Sequence, residues 1–201
     1  MRRFFLLLVN ILFILALASA LCAVKPEPAT AANNNGYIAE QGLITSYGNG
    51  FVGESHRNYR VTSFIYHIGF KAHSIFPSFI PPNNGRFTLY LEPQYDAVTR
   101  PSGNYEFGLG FGLEYRFRII NKIDGYMLAG SGLHYISFDS SKQSGGFNFN
   151  DNLGCGLYLF TSKHSAVNMG FRFRHISNAD LNMPNEGINS YLFVLGYSRF
   201  F

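Results

Sequence analysis

His175 and Ser177 stand two residues apart in the run Phe171-Arg172-Phe173-Arg174-His175-Ile176-Ser177-Asn178-Ala179. Upstream, Val167, Met169, Phe171 and Phe173 alternate with Asn168, Gly170, Arg172 and Arg174. Alternate residues of a strand face opposite sides, so one face is apolar and the other polar. His175 and Ser177 continue the apolar series, where polar groups cost desolvation energy unless they are used. Their Cα atoms are about 6.6 Å apart along a strand, a separation the imidazole can bridge if the strand bends slightly. The chemistry such a pair can do is nucleophilic: His takes the Ser proton and the Ser oxygen attacks an ester carbonyl. Asn178 offers a side-chain N–H as an oxyanion donor. The plainer reading is a strand running into a loop, where Ser, Asn and Asp are common.

What that apolar face touches follows from the rest of the chain. Aromatic residues make up 17% of the 201 residues and charged ones 14%, against roughly 25% charged in an average soluble domain. With 21 Gly, 21 Phe, 13 Tyr and no Trp, and no long apolar run after the first 24 residues, the chain suits a membrane β-barrel better than a helical membrane protein. Eight strand-like segments are expected, at 42–48, 59–72, 86–98, 105–117, 126–138, 147–161, 166–177 and 188–201. The fourth is the clearest. Tyr105, Phe107, Leu109, Phe111, Leu113, Tyr115 and Phe117 share one face, and Glu106, Gly108, Gly110, Gly112, Glu114 and Arg116 the other. A face carrying three glycines fits the crowded inside of a narrow barrel, where Glu114 and Arg116 can pair. The large face then points into hydrocarbon, with Tyr at its ends.

The expected fold is therefore an all-β, eight-stranded antiparallel transmembrane barrel, closed because hydrocarbon offers no partners to unpaired backbone groups. Its interior is filled by side chains rather than open as a pore, and Glu92, Glu106, Glu114, Arg116, Arg172 and Arg174 form a polar network there. Longer links are expected between strands 1 and 2, 3 and 4, 5 and 6, and 7 and 8, with short turns at the other end except for the link 73–85, which is too long for that rule. That places strand 7 running outward and His175 and Ser177 at the level of the outer leaflet.

The N-terminus reads as a signal peptide over 1–20. Arg2 and Arg3 precede an apolar stretch over 4–17, and Ala18-Ser19-Ala20 ends it as a cleavage site. Residues 21–41 read as a flexible lead-in and 42–201 as the barrel. Without Arg2 and Arg3, 14 basic residues face 12 acidic ones, too small an excess to argue for nucleic acid. Cys22 and Cys155 give no indicated disulfide. No C-x-x-C or H-E-x-x-H pattern occurs, so no metal and no cofactor is expected. Of the six His, His56, His67, His73, His134 and His164 have ordinary explanations as loop, turn or wall residues.

The run Arg174-His175-Ile176-Ser177-Asn178-Ala179, with Pro184-Asn185-Glu186-Gly187-Ile188-Asn189-Ser190 after it, resembles the C-terminal signature of the lipid A 3-O-deacylases, the PagL family. The resemblance implies an outer-membrane serine esterase that removes the ester-linked 3-hydroxyacyl chain from the 3-position of lipid A. It implies lipopolysaccharide and outer-membrane lipid as partners, with Ser177 as nucleophile, His175 as base and Asn178 at the oxyanion. Phe171 and Phe173 lie against the acyl chains. Where the family has an acid, two residues after the Gly of P-N-x-G, this chain has Asn189. Asn can orient a His through its carbonyl oxygen but brings no charge, which makes Glu186, or Asp180, the alternative. Residue 189 belongs to the odd-numbered series of strand 8 and is expected to project outward beside His175. The terminal Phe201 resembles the assembly signal of outer-membrane proteins and implies the barrel-assembly machinery as a partner. A homodimer is compatible with all of this. The competing readings are a non-enzymatic small barrel serving adhesion or envelope stability, and another lipid-acyl enzyme such as an acyltransferase or phospholipase.

Overall fold

A computed structural model describes residues 36–53, 55–75 and 85–201. The expected signal peptide, Cys22 and most of the lead-in lie outside the described residues. Eight strands form one closed antiparallel barrel: β1 (Ile38–Val52), β2 (Ser55–Lys71), β3 (Arg86–Arg100), β4 (Ser102–Ile120), β5 (Ile123–Ile136), β6 (Gly146–Phe160), β7 (Ser165–Ser177) and β8 (Ile188–Phe200). Each strand pairs with its sequence neighbour. Pairing of β1 with β8, for example Tyr47 opposite Phe193 and Phe51 opposite Asn189, closes the ring.

The barrel is inside out relative to a soluble sheet. Phe107, Phe111, Phe171 and Phe193 on its outer wall are 50%, 52%, 66% and 47% exposed, whereas Glu92, Glu106, Glu114, Arg172 and Arg174 inside are at most 3% exposed. Such a wall is stable only against hydrocarbon. No helix among the described residues is long and apolar enough to cross a membrane; the strands do the crossing.

Inward glycines make room for rings that span the lumen. The Tyr90 hydroxyl lies between Gly112 and Gly130, and a Cβ at Gly112 would come within 2.7 Å of it. Tyr126 reaches in the same way over Gly156 and Gly170 and donates to Asn168 Oδ1 at 3.0 Å. The middle of the barrel holds two charged clusters. Arg172 forks onto Glu92 at 2.7 and 2.8 Å, and His67 Nδ1 lies 2.8 Å from the same carboxylate. Arg174 bridges Asp96 and Glu106, each at 2.9 Å, and His134 lies 3.1 Å from Glu106. Above them an apolar plug of Tyr59, Val61, Val98, Ile136, Phe138, Ile176, Ile188 and Leu192 closes the end near His175.

The polar network forms, with one change of partners. Arg116 pairs with Glu40 at 3.5 Å and with Asp124 at 3.8 Å, not with Glu114. Residues 114 and 116 are neighbours on one strand face, but the acid of β1 reaches Arg116 across the lumen, and Glu114 accepts from the Tyr158 hydroxyl at 3.1 Å. Because Glu92 answers two groups inside the barrel, Glu92→Ala leaves Arg172 and His67 uncompensated. The expected cost is about 3–5 kcal/mol, seen as a lower urea midpoint for the barrel in detergent. An unchanged midpoint means that water entering the lumen solvates Arg172.

Two expected loops are absent. β1 and β2 are separated only by residues 53 and 54, and β3 and β4 only by Pro101. The strands run past the apolar belt because backbone groups pair across a ladder whatever their side chains: Asn49 lies opposite Arg60, and Val98 opposite Asn104. For the same reason β1 begins at Ile38 rather than at 42 and takes in residues assigned to the lead-in. The long connections at this end are 137–145 and 178–187. At the other end, the link after β2 opens with one helical turn, α1 (Ala72–Ile75).

Candidate functional site

The outer wall changes character where β6, β7 and β8 approach the plugged end. Phe171 and Phe173 point outward from β7 and pack on β8, Phe171 against Phe193 at 5.5 Å between ring centroids and Phe173 against Tyr191 at 5.4 Å. One step further along β7 the same face carries His175, then Ser177, both half-buried. The residues that alternate with Phe173, His175 and Ser177, namely Arg174 and Ile176, point inward and are 1% and 0% exposed. A packed interior therefore backs the polar pair and holds its strand.

His175 lies directly opposite Asn189 of β8, and its Nδ1 is 2.8 Å from Asn189 Oδ1. The acceptor is a carbonyl oxygen, so Nδ1 carries the proton and Nε2 keeps its lone pair. That is the tautomer a base needs. Gly187 stands over the ring: a Cβ there would sit 2.7 Å from His175 Cε1 and 3.5 Å from Nε2. Gly187 also takes φ +77°, a region that disfavours any other residue. Among the described residues no hydrogen bond joins His175 to Ser177; such bonds commonly tighten only when substrate is present.

The 178–187 connection is braced from within. Asn178 N–H donates to Asn185 Oδ1 at 2.9 Å, and Asn185 Nδ2 donates to Asp180 Oδ1 at 2.9 Å. The Asn178 side chain is buried and donates through Nδ2 to the Asn182 carbonyl at 2.6 Å. It is not brought onto the outer face with His175 and Ser177. Ala179 and Asp180 follow with left-handed backbone, φ 52° and 60°, a strained pair of the kind that clusters at functional sites. Gln143, wholly buried in the 137–145 connection, accepts from Gly187 N–H at 2.8 Å and donates to Asn148 at 3.0 Å. The two long connections thus hold each other, and Gly187 with them.

Glu186 does not reach His175. Its carboxylate pairs with Lys142 at 3.3 Å, and both lie with Phe51, Gly53 and Asn189 around a surface cavity of about 660 Å³. Asp180 is held by Asn185 and does not reach it either. Of the expected candidates, the structure brings His175, Ser177, Asn189, Phe171 and Phe173 onto one face, and leaves Asn178, Asp180 and Glu186 off it. Sequence reasoning missed Gln143 and gave no partners for Asn185 of the P-N-x-G run, because the contacts of both are set by loop folding. It also passed over Asp151, whose odd number places it on the outward face of β6, opposite His175. Cys155, on that same face, is a free thiol.

A second cluster, Asp96, Glu106 and His134, has the ligand types of a metal site. It lies inside the barrel, and the Arg174 guanidinium already sits on both carboxylates.

Fold and wall together define an eight-stranded barrel of the outer membrane with polar side chains set into its lipid-facing surface. A family model described as lipid A 3-O-deacylase (PagL) matches residues 50–198. The chain belongs to that family, and with it to the ester hydrolases of the outer membrane. Among solved structures, that of the outer membrane enzyme PagL is 23% identical, with a TM-score of 0.57 over 77% of this chain and 97% of that one. Neisserial surface protein A is 12% identical, with a TM-score of 0.60 over 81% of this chain and 96% of that one. At these identities both report the fold alone. No curated protein sequence matches the chain.

Proposed function

We propose that the chain hydrolyses the ester-linked 3-hydroxyacyl chain at the 3-position of lipid A by a Ser–His mechanism on its outer wall, facing the outer leaflet. The observation that carries this reading is the 2.8 Å contact between His175 Nδ1 and Asn189 Oδ1, on an apolar face that also bears Ser177. The substrate's acyl chains lie along Phe171, Phe173 and Phe193, and its sugar sits level with the two long connections. His175 Nε2 takes the Ser177 proton as Oγ attacks the ester carbonyl. The same nitrogen returns the proton to the departing sugar oxygen, and water then releases the fatty acid from Ser177. Asn189 fixes the imidazole's tautomer and tilt without supplying charge.

Donors to the oxyanion come from the start of the 178–187 connection. Asn178 Nδ2 serves by exchanging the Asn182 carbonyl for substrate, and the N–H groups of Ala179 and Asp180 follow it in the left-handed turn.

Mass spectrometry of lipid A from cells making the chain tests the reading. Wild type removes one 3-hydroxyacyl group, and Ser177→Ala leaves lipid A intact although the barrel reaches the membrane. Equal product from both cultures removes Ser177 as the nucleophile.

A further inference from the structure

The described strands contain seven carboxylates: Glu40, Glu92, Asp96, Glu106, Glu114, Asp124 and Asp151. The first six point into the barrel and are at most 4% exposed. Asp151 alone points outward. On its own strand it stands between Phe149 and Leu153, in a face otherwise made of Phe147, Phe149, Leu153, Cys155 and Leu157. A carboxylate set into a lipid-facing wall is costly, and such groups are rare unless they serve a function.

Its neighbours say what it serves. β7 places His175 directly opposite Asp151, in the same ladder that sets Phe149 opposite Ser177 and Leu153 opposite Phe173. On the other side, the pairs Gly130–Asn152 and Leu133–Phe149 bring the uncharged Ser131 of β5 alongside. Among the described residues Asp151 makes no ion pair or hydrogen bond, and no Lys or Arg shares its outward face on β6 or β7, where Arg172 and Arg174 point inward. Opposed residues on one face of an antiparallel pair have Cβ atoms about 4.5–5.5 Å apart. The imidazole is thus flanked by a neutral amide on β8 and by a carboxylate on β6.

We propose that Asp151 is the positioning residue that supplies the charge Asn189 lacks. Asn189 holds the ring through Nδ1, and Asp151 stabilises the imidazolium that forms when Ser177 attacks. The two halves of an acid's work, orientation and charge, are divided between the two strands that flank β7. The charge acts across the strand gap without a hydrogen bond, because the surrounding hydrocarbon screens it poorly. This rests on the Ser177–His175 reading above.

The test compares full-length wild type, Asp151→Asn, Asp151→Asn with Asn189→Glu, and Ser177→Ala, each folded in detergent and given purified lipid A. Asp151→Asn keeps shape and removes charge. It is expected to lower kcat about 30-fold with KM within about 2-fold of wild type, and to unfold at the same urea concentration or a higher one. Adding Asn189→Glu returns a carboxylate to the ring from its other side and is expected to restore kcat to within about 3-fold of wild type. A purely structural role for Asp151 predicts a lower unfolding midpoint and no rescue. Wild-type kcat in Asp151→Asn, or a loss that Asn189→Glu does not restore, overturns the proposal. Ser177→Ala separates the two levels: if it is inactive while Asp151→Asn is unaffected, only the role of Asp151 falls. Activity in Ser177→Ala removes the Ser–His reading and the proposal with it.

Discussion

Alanine at His175, at Ser177, or at both together lowers kcat for lipid A deacylation by one common factor, about 10⁴-fold or more. In the proposed mechanism the two side chains act as a unit. Once the hydroxyl has no base, or the base no hydroxyl, the second removal takes away nothing further, so the losses do not add. The barrel should not register any of the three changes. Neither side chain bonds to the interior, and the strand is held by Arg174 and Ile176 on its other face, both wholly enclosed. The single and double variants should therefore keep the heat-dependent gel mobility of a folded barrel. Two losses that multiply, each near a thousandfold, would mean that the residues serve separate steps.

The alternation that exposes the site is the same alternation that exposes the fold. Over residues 105–118 of β4 every second residue is a large apolar group and those between are Gly, Glu or Arg, a contrast only a narrow barrel in hydrocarbon can satisfy. The same parity puts Asn189 on the outer face beside His175, as its number alone requires. It also puts Asn178 with Arg174 and Ile176 on the inside, where its amide braces the loop. To serve the oxyanion, that amide must release the Asn182 carbonyl it holds.

What could not be read is set by pairing at a distance. Arg116 finds Glu40 across 76 positions rather than Glu114 two away, because the stagger of the ladder decides which side chains meet in the lumen. Asp151 meets His175 for the same reason: the register of β6 on β7 has no local signature. At β1–β2 and β3–β4 polar residues such as Asn49 and Asn104 look like loop, yet their backbones keep pairing beyond the apolar belt, so the connections are shorter than composition suggests. Glu186 had the right chemistry for an acid, but its partner Lys142 comes from another connection, and only the folding of both reveals it.

Gly187→Ala should cost most of the activity while leaving most of the stability. Two separate penalties meet at this residue. Its backbone is left-handed, φ +77°, which costs a residue with a Cβ about 1–2 kcal/mol. That Cβ would also press on His175, 2.7 Å from Cε1. The ring must move, and with it the contact to Asn189 that holds its tautomer. A displacement near 1 Å at a reacting group costs about 10²-fold, which is the fall in kcat expected here. Gly103→Ala separates the two penalties. Gly103 has φ +86° but nothing within 4 Å of where its Cβ would be, and it lies at the β3–β4 turn. It should show a similar small loss of unfolding free energy with unchanged kcat. If Gly187→Ala behaves like Gly103→Ala in both measurements, contact with the imidazole is not what the glycine protects. If only Gly187→Ala loses activity, the glycine that ends the P-N-x-G run is there to give the His175 ring its space.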